Sequence, residues 1–456
     1  MKRDMKKFVK KVKRKIPWLE HVVDDIKVAT ELNITPSKVH YQGNIQCILC
    51  RGAKLLCGKT SCPILAKFFS YIKHKKSLEK NEISGSSPPE VFVGRIGYPY
   101  VRIGPLTPPY RGDTRLLALT EYWLEVYKSI NEIIDARIQL VRGTFKSHVM
   151  KLSSSNRLLE LTQELVLSKH PADIEMKLTK RPSTLSLFDG ELQPMGPSAP
   201  LDSLRVEYKS TDKAIEKVVY DEDLNAKEAL LTLYNSGVKI SKIQQVFSVG
   251  LLGVKRRRKL VPTRWSITAI DSIISTILRD NVVKQYKPVN EYRVYKFTIL
   301  GNRFVVIMFP EKWSFEFIEA WYPGTPWNPS SREISICGDY ELYKGRTSYA
   351  SIGGCYYASR LAVAEYLAKE GKQAKVLVLR ESYPEYILPL GVWLVREAVR
   401  KTLRTGYRKF DDLREVMEYL STILKVKVED WIKVSELLSS SLKQVKLEDF
   451  IRQLNH

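Results

Sequence analysis

The chain has 456 residues, of which 44% are hydrophobic, and this is enough apolar sequence for a sizeable core and about three domains. Its 74 Lys and Arg residues outnumber its 50 Asp and Glu residues, so the formal net charge of +24 favours an acidic partner, most simply nucleic acid. No apolar run approaches the roughly 18 residues of a membrane span, and the basic N-terminus lacks the apolar segment of a secretory signal, so we expect a soluble cytoplasmic, nucleoid-associated protein without membrane partners.

Residues 1–40 are predicted to form a basic arm and an amphipathic helix. Residues 1–16 are rich in Lys and Arg and contain the single acidic residue Asp4. Such an arm either lies along a phosphate backbone or is a frayed, solubilising terminus. Pro17 suits the first turn of the helix that follows.

Residues 41–70 are predicted to form a small metal module. Its four cysteines are Cys47, Cys50, Cys57 and Cys62. Four thiolates this close can converge on one tetrahedral ion, and Gly52 and Gly58 allow the tight turns that this requires. Structural zinc is the favoured metal, and an iron–sulfur cluster or unrelated reduced thiols are the alternatives.

A Lys-, Ser- and Pro-rich linker over 73–90 leads to a core predicted over 90–432. Arg95, Arg102 and Arg111 alternate with aromatic residues, and they either line a nucleic-acid surface or cap loop carbonyls. We predict a long helix from a cap at Asp113 or Thr114 to Gly143.

The stretch 248–275 combines three devices that favour a phosphate ligand. Gly250 and Gly253 permit close backbone approach, and a block of five cations follows at Lys255, Arg256, Arg257, Arg258 and Lys259. A helix predicted to begin at Pro262–Thr263 adds free N–H groups. The alternative interpretation is an ordinary exposed basic loop.

The same helix carries a polar stripe beside its apolar face. Arg264, Thr268, Asp271 and Ser275 recur at spacings of four, three and four residues, which places them on one side. The first three are candidates for a catalytic role, and the alternative is a solvated helix face.

The second half of the core mixes strands and helices. A hairpin is predicted around a turn at Gly301–Asn302, with SFEFIEAW as the third strand of an antiparallel meander. KVLVLR over 375–380 reads as a buried strand that follows a helix ending at Gly371. The predicted fold class is therefore α+β, or mixed α/β, with a helix-rich N-terminal half.

The C-terminal tail, 436–456, contains a short motif typical of proteins that bind sliding clamps. Its residues are Gln444, Leu447, Phe450 and Ile451. The Gln would enter a small polar pocket while a one-turn helix inserts an apolar plug. Ile451 replaces the usual second aromatic residue, and any terminal amphipathic helix can produce this spacing.

Several stretches together resemble the archaeal Nre family of DNA-repair proteins. They are CILC…LCGKTSCP, VGRIGYPYVRIGPL, MGPSAP and SVGLLGVKRRRKLVPTRWSITAID, and the similarity extends from about Cys47 to Leu420. The resemblance implies a role in the DNA-damage response alongside a clamp of the proliferating cell nuclear antigen type. It also gives the metal role to the four N-terminal cysteines and the clamp role to the tail motif.

Three functions remain open from the sequence. The first is a clamp-tethered DNA-repair factor that binds nucleic acid. The second is an enzyme on nucleic acid or nucleotides, such as a nuclease or a glycosidic-bond hydrolase or phosphorylase, with its phosphate site around 248–275. No cluster of carboxylates suited to a two-metal nuclease is visible. The third is an RNA-binding module, because net charge does not distinguish DNA from RNA.

Overall fold

A computed structural model describes residues 49–150, 152, 156–183, 193–207, 210–329 and 332–443. The basic arm, Cys47 and the clamp motif therefore lie outside the described residues. The first long helix, α1 (Pro63–Leu78), begins directly after Cys62 with proline in its first turn, where a missing N–H costs nothing. It packs against the later helix Ile130–Ile138 and contributes buried residues such as Phe68 and Tyr71 to the largest hydrophobic core.

The first sheet has six strands. They are β1 (Glu82–Ser87), β2 (Glu90–Val93), β3 (Tyr100–Thr107), β4 (Val141–His148), β5 (Ala172–Leu178) and β6 (Ser198–Glu207). Their order is β1-β5-β6-β4-β3-β2, and only β4 and β6 pair in parallel. Side chains alternate between the faces, so Val101 and Ile103 of β3 lie in the core while Tyr100 and Arg102 lie in solvent.

Among the described residues, seven α-helices lie between the strands of this sheet or follow it on the way to the second half of the chain. They are α2 (Trp123–Val126), α3 (Ile130–Ile138), α4 (Arg157–Leu167), α5 (Lys213–Tyr220), α6 (Ala226–Asn235), α7 (Ile240–Ser248) and α8 (Thr263–Asn281). The start of α8 agrees with the predicted one. Its apolar residues Ile270 and Ile274 are fully buried in the largest hydrophobic core, which contains residues of both halves of the chain.

The second sheet also has six strands. They are β7 (Tyr292–Ile299), β8 (Asn302–Phe309), β9 (Ser314–Trp321), β10 (Ser335–Glu341), β11 (Lys375–Ser382) and β12 (Arg408–Phe410), in the order β10-β9-β11-β8-β7-β12. The accompanying helices are α9 (Gly354–Glu370), α10 (Val392–Arg404), α11 (Leu413–Ile423) and α12 (Val428–Val434).

Both faces of the second sheet are covered. Phe304 and Val306 belong to the same core as α9 and α10, whereas Val305 and Ile307 pack with α11 and α12. Every residue of β9 and β11 is buried for this reason, which explains why KVLVLR reads as a continuous apolar run. Two mixed sheets with packed helices confirm the α+β class.

The long helix predicted over 113–143 is wrong. The structure has two short helices, α2 and α3, and residues 141–148 form a strand that pairs with β3. The break occurs at Ser129, whose side chain accepts a hydrogen bond from the Glu132 amide while the Glu132 carboxylate accepts one from the Ser129 hydroxyl. The Ser-x-x-Glu sequence is typical of a helix start, and it indicates a new helix within the region that was predicted to be continuous.

The hairpin and the third strand also differ in detail from the prediction. Ile299 pairs with Asn302, so the turn residues are Leu300 and Gly301, both with positive φ as a type I′ turn requires. The third strand joins the sheet, but β11 lies between β8 and β9. Among the described residues, no helix is long and apolar enough to span a bilayer.

Candidate nucleic-acid interface

The solvent face of the first sheet carries basic and aromatic side chains at one end. Tyr100 and Arg102 on β3 pair in register with His148 and Lys146 on β4. Arg102 and Lys146 are exposed, and the Tyr100 ring is 60% exposed and lies 4.9 Å from the His148 ring. Two adjacent strands therefore present two cations and an open aromatic ring to solvent.

Arg142 lies on the same face, further along β4, and lacks an acidic partner. Its guanidinium sits 4.8 Å over the Phe92 ring, and its buried Nε has no hydrogen-bond partner. Burial lowers the pKa of Arg142 to about 10, and Arg102 acts in the same direction. We refer to Arg102, Arg142 and Lys146 as the cationic face. No described carboxylate forms an ion pair with any of the three. Arg102 and Lys146 are exposed, so their charge is available to an anion, whereas Arg142 is largely buried.

A glycine sets the shape of this face. A Cβ atom on Gly104 of β3 would lie 1.5 Å from the Gly143 carbonyl oxygen, so no other residue fits there without moving the backbone. Gly104 lies two residues from Arg102 on β3 and is buried, so its role is to let the β4 backbone approach β3 closely.

The beginning of α8 meets the tip of the β2–β3 hairpin. The Val93 amide donates to Thr263 Oγ1 at 2.9 Å, and the Tyr98 and Trp265 rings lie 5.2 Å apart. We refer to Tyr98, Tyr100 and Trp265 as the aromatic rim. The first turn of α8 has no side-chain cap, so its N–H groups add partial positive charge beside Arg264, which is exposed.

The five-cation block divides into structural and free residues. Lys255 forms an ion pair with Glu222, and Arg258 donates to the carbonyl oxygens of Gly253 (2.7 Å) and Val219 (2.9 Å). The remaining three are exposed and have no acidic partner among the described residues: Arg256, Arg257 and Lys259. The block is thus only partly available to a phosphate ligand.

The loop that carries the block is tied to the first sheet. The Leu260 amide donates to the Val149 carbonyl at 2.9 Å, directly after β4. Gly250 and Gly253 have φ of +77° and +99°, and a Cβ on Gly250 would lie 2.8 Å from the Lys259 carbonyl oxygen. The local backbone therefore requires both glycines, whether or not a phosphate binds there.

The electrostatic character of the whole region follows from three segments without a single Asp or Glu. They are residues 91–112, 136–159 and 229–270. They supply the β2–β3 hairpin, β4, and the path from α7 into α8, which the fold brings together. Because these segments contain no acidic residue, their cations can be neutralised only by carboxylates from other parts of the chain, as Lys255 is by Glu222.

The predicted polar stripe on α8 does not form one surface. Arg264 is exposed and Thr268 is half-buried, whereas Asp271 and Ser275 are completely buried. Arg396 on α10 donates from Nη1 to both carboxylate oxygens of Asp271, at 2.9 and 3.0 Å. Burial raises the pKa of Asp271 to about 6 even though Arg396 opposes this shift.

The cysteine segment is only partly described. Arg51, Gly52, Leu55 and Gly58 have positive φ, consistent with the predicted tight turns. Burial raises the pKa of the Cys62 thiol, the neighbouring Cys57 and Cys50 act in the same direction, and amides of Leu65 and Ile64 oppose the shift. Among the residues that the structure describes, no three potential ligands converge on a metal position. With Cys47 outside the described residues, the metal remains a prediction.

A cavity of about 430 Å³ lies outside the stretch 248–275. It is bounded by the Thr120–Tyr122 turn, the end of α6 and helices α9 and α10. Two of its carboxylates, Glu365 and Glu397, are both paired with Arg400. A third, Glu121, accepts hydrogen bonds from the Ser241 amide and hydroxyl. These carboxylates are already partnered, so they do not form a free acid–base pair.

Sequence reasoning identified Arg95 and Arg102 but missed their neighbours Lys146 and Trp265. Arg95 is exposed at the hairpin tip, whereas Arg111 lies near Asp173 and Glu175 of β5, at 3.9 and 3.7 Å. Lys146 and Trp265 both lie in segments without Asp or Glu, 136–159 and 229–270. The absence of acidic residues from these segments was the signal in the sequence that could have identified them.

Comparisons with known proteins agree on one family. The model described as "Archaeal Nre, N-terminal" matches residues 56–328, and the model "Archaeal Nre, C-terminal" matches residues 341–450. DNA repair protein NreB of Archaeoglobus fulgidus is 42% identical over 395 residues, which cover 86% of this chain and 97% of the relative.

Two further relatives are DNA repair proteins named NreA. The one from Archaeoglobus fulgidus is 38% identical over 377 residues, covering 81% of this chain and 92% of its own. The one from Haloferax volcanii is 34% identical over 364 residues, which cover 77% of this chain and 86% of the relative. No solved structure matches the chain.

Proposed function

The chain belongs to the archaeal Nre family, and on that premise we propose that it acts in DNA repair by binding DNA through the cationic face of its first sheet. The repair role is supported by the relatives, whose names describe DNA repair proteins. The single observation that carries the binding role is a set of three cations, Arg102, Arg142 and Lys146, without acidic partners among the described residues.

Electrostatics favours a polyanion over a single small anion at this face. Arg264 and the uncapped start of α8 extend the positive surface past the hairpin tip, and Lys259 adds to it from the adjacent loop. Neutralising several phosphates at once releases several counterions, which is the main source of affinity for DNA.

The enzymatic alternative has less support. Both oxygens of Asp271 are engaged by Arg396, and its side chain has no exposed surface. A general acid or base must come within hydrogen-bond reach of the substrate. A nuclease, or a glycosidic-bond hydrolase or phosphorylase, built on Asp271 would therefore require α8 and α10 to separate.

The tail motif supports a tether to the sliding clamp as a second part of the proposal. Gln444, Leu447, Phe450 and Ile451 follow immediately after the last described helical residues, 436–443. Binding of the clamp would place the cationic face near replicating DNA without requiring sequence recognition. The avidity of such a two-point contact exceeds that of either site alone.

The binding proposal is tested by removing two charges from the face. We expect Arg102→Gln with Lys146→Gln to weaken DNA binding by about tenfold for each lost phosphate contact. Lys409→Gln with Lys427→Gln is the matched control, because it removes the same charge from exposed positions near the second sheet. Equal affinity of the two double variants would contradict the proposal.

A further inference from the structure

We propose that the aromatic rim makes this site a binding site for single-stranded DNA, whose bases stack on Trp265, Tyr98 and Tyr100. The inference rests on the proposed function, because it assumes that the adjacent cations bind a DNA backbone. Beyond the proposed function, the inference specifies that the DNA is single-stranded and names the aromatic side chains that would select it.

The exposure of the rim is the first argument. Trp265, Tyr98 and Tyr100 are 46%, 47% and 60% exposed, and Ile96 and Met150 beside them are 89% and 55% exposed. Large apolar side chains clustered on a soluble surface mark an interaction site, since burying them would otherwise stabilise the fold. A ligand that contributed only phosphates would make no use of this apolar area.

The orientation of the rings is the second argument. The planes of Tyr98 and Trp265 meet at 52°, and those of Tyr100 and His148 meet at 69°. Neither pair is stacked face to face, so the rings do not cover each other's faces completely. Each ring keeps area on which a planar base can lie.

The arrangement of charge and rings is the third argument. Tyr98 lies at the hairpin tip, Tyr100 at the start of β3 and Trp265 at the start of α8. Arg102 and Lys146 lie two residues beyond Tyr100 and His148 on the same face of β3 and β4. A strand of DNA crossing this edge can place bases on the rings and phosphates on the cations. This combination of a basic track with aromatic platforms is the usual means of binding single strands without sequence preference.

A duplex fits this surface less well. Its bases are already stacked on one another inside the helix, so the aromatic rim would face sugars and phosphates. In a duplex no unstacked base is available to the exposed rings at the hairpin tip. The site is therefore expected to prefer a single strand over a duplex of equal length.

The test is to compare a thymidine 20-mer, the matching duplex and the equivalent uridine RNA as ligands for the full chain. Trp265→Ala and Tyr100→Ala are expected to weaken binding of the single-stranded DNA by about 5- to 150-fold each, with little effect on the duplex. Trp265→Phe should restore most of the lost affinity because it keeps a ring at that position.

Trp327→Ala is the matched control. Trp327 is 61% exposed, but it contacts Trp321 at the end of β9, outside the rim. Its replacement should leave all three affinities unchanged. The thermal unfolding midpoint of every variant separates loss of a stacking ring from loss of the fold.

The outcomes distinguish this inference from the proposed function. If the aromatic variants weaken duplex and single strand equally, or weaken neither while the Arg102 and Lys146 variant loses affinity, the inference is wrong and the cationic face stands. If the wild-type protein binds neither form of DNA, both fail. Preferential binding of the RNA by tenfold or more would overturn the assignment to DNA.

Discussion

Asp271 is the acidic centre of an ion-pair network that joins helices α8, α9 and α10. Arg396 holds its carboxylate from α10, and its backbone carbonyl accepts a hydrogen bond from Ser275 at 2.6 Å. The Ser275 hydroxyl in turn accepts from Arg360 of α9, whose Nη1 pairs with Glu341 at 2.6 Å. Hydrogen bonds therefore link these residues in series from Arg396 to Glu341.

Asp271→Asn is therefore expected to destabilise the protein rather than to abolish a reaction. Breaking a buried ion pair costs about 3–5 kcal/mol when the remaining charge has no other partner. Arg396 keeps its pair with Glu397, so we expect a loss of stability at or below the lower end of that range. Chemical denaturation of wild type and variant measures the difference, and the exposed Asp223→Asn is the control.

A different result would restore the catalytic interpretation of Asp271. A variant of unchanged stability that loses turnover of DNA, RNA or a free nucleotide would show that the carboxylate acts on a substrate. Retained DNA binding with reduced stability is the outcome that the ion-pair network predicts.

At the scale of elements, local signals predicted the parts of the fold that depend on near neighbours. The start of α8 at Thr263, its apolar face and the buried strand over 375–380 are confirmed because the proline at the helix start, the apolar spacing and the strand length are encoded locally. Gly371 closes α9 in the left-handed conformation, as expected of a glycine after a helix.

Features decided by distant neighbours were not predictable in the same way. Asp271 and Ser275 on the polar side of α8 are buried because α9 packs against α8 and Arg396 of α10 reaches the Asp271 carboxylate. The pattern of a single helix cannot report such partners. Likewise, the insertion of β11 between β8 and β9 is a tertiary pairing with no local signal. The aromatic rim unites Tyr98 and Trp265, which are far apart in the sequence.

The cysteine segment is the element whose chemistry is most easily tested. We expect purified protein to contain structural zinc, held by Cys50, Cys57, Cys62 and Cys47, with an iron–sulfur cluster as the alternative. Cys50→Ser should lower the metal content and the unfolding midpoint together, because a structural metal contributes to folding.

Elemental analysis of Cys50→Ser beside Cys337→Ser, which changes a cysteine outside the segment, measures this effect. Identical zinc and iron content in wild type and both variants would contradict the prediction that these cysteines bind a metal.

The C-terminal tail is a second element with a separable role. A pull-down with the sliding clamp should fail for Gln444→Ala with Phe450→Ala, since these changes remove the polar anchor and the aromatic plug. Leu442, just before the motif, packs against the second core and should not be altered in the same variant. Undiminished capture of the clamp would mean that another surface binds it.

At the scale of the whole molecule, the two halves differ in how far their cations are paired with carboxylates. Many cations of the second half are held in buried pairs, such as Arg360–Glu341, Arg380–Glu319 and Arg396–Asp271. The first sheet instead leaves Arg102, Arg142 and Lys146 without acidic partners among the described residues. The unpaired cations of the first sheet are therefore better placed to attract an acidic partner than the paired cations of the second half.

The central claim, that the cationic face contacts the DNA backbone, predicts a specific dependence on salt. The logarithm of the duplex-binding constant falls linearly with the logarithm of salt concentration, with a slope of about −0.9 for each neutralised phosphate. Arg102→Gln with Lys146→Gln should therefore reduce the steepness of that slope by about 1.8, and the Lys409→Gln with Lys427→Gln control should leave it unchanged. A slope identical in wild type and in the Arg102 and Lys146 variant would contradict the claim.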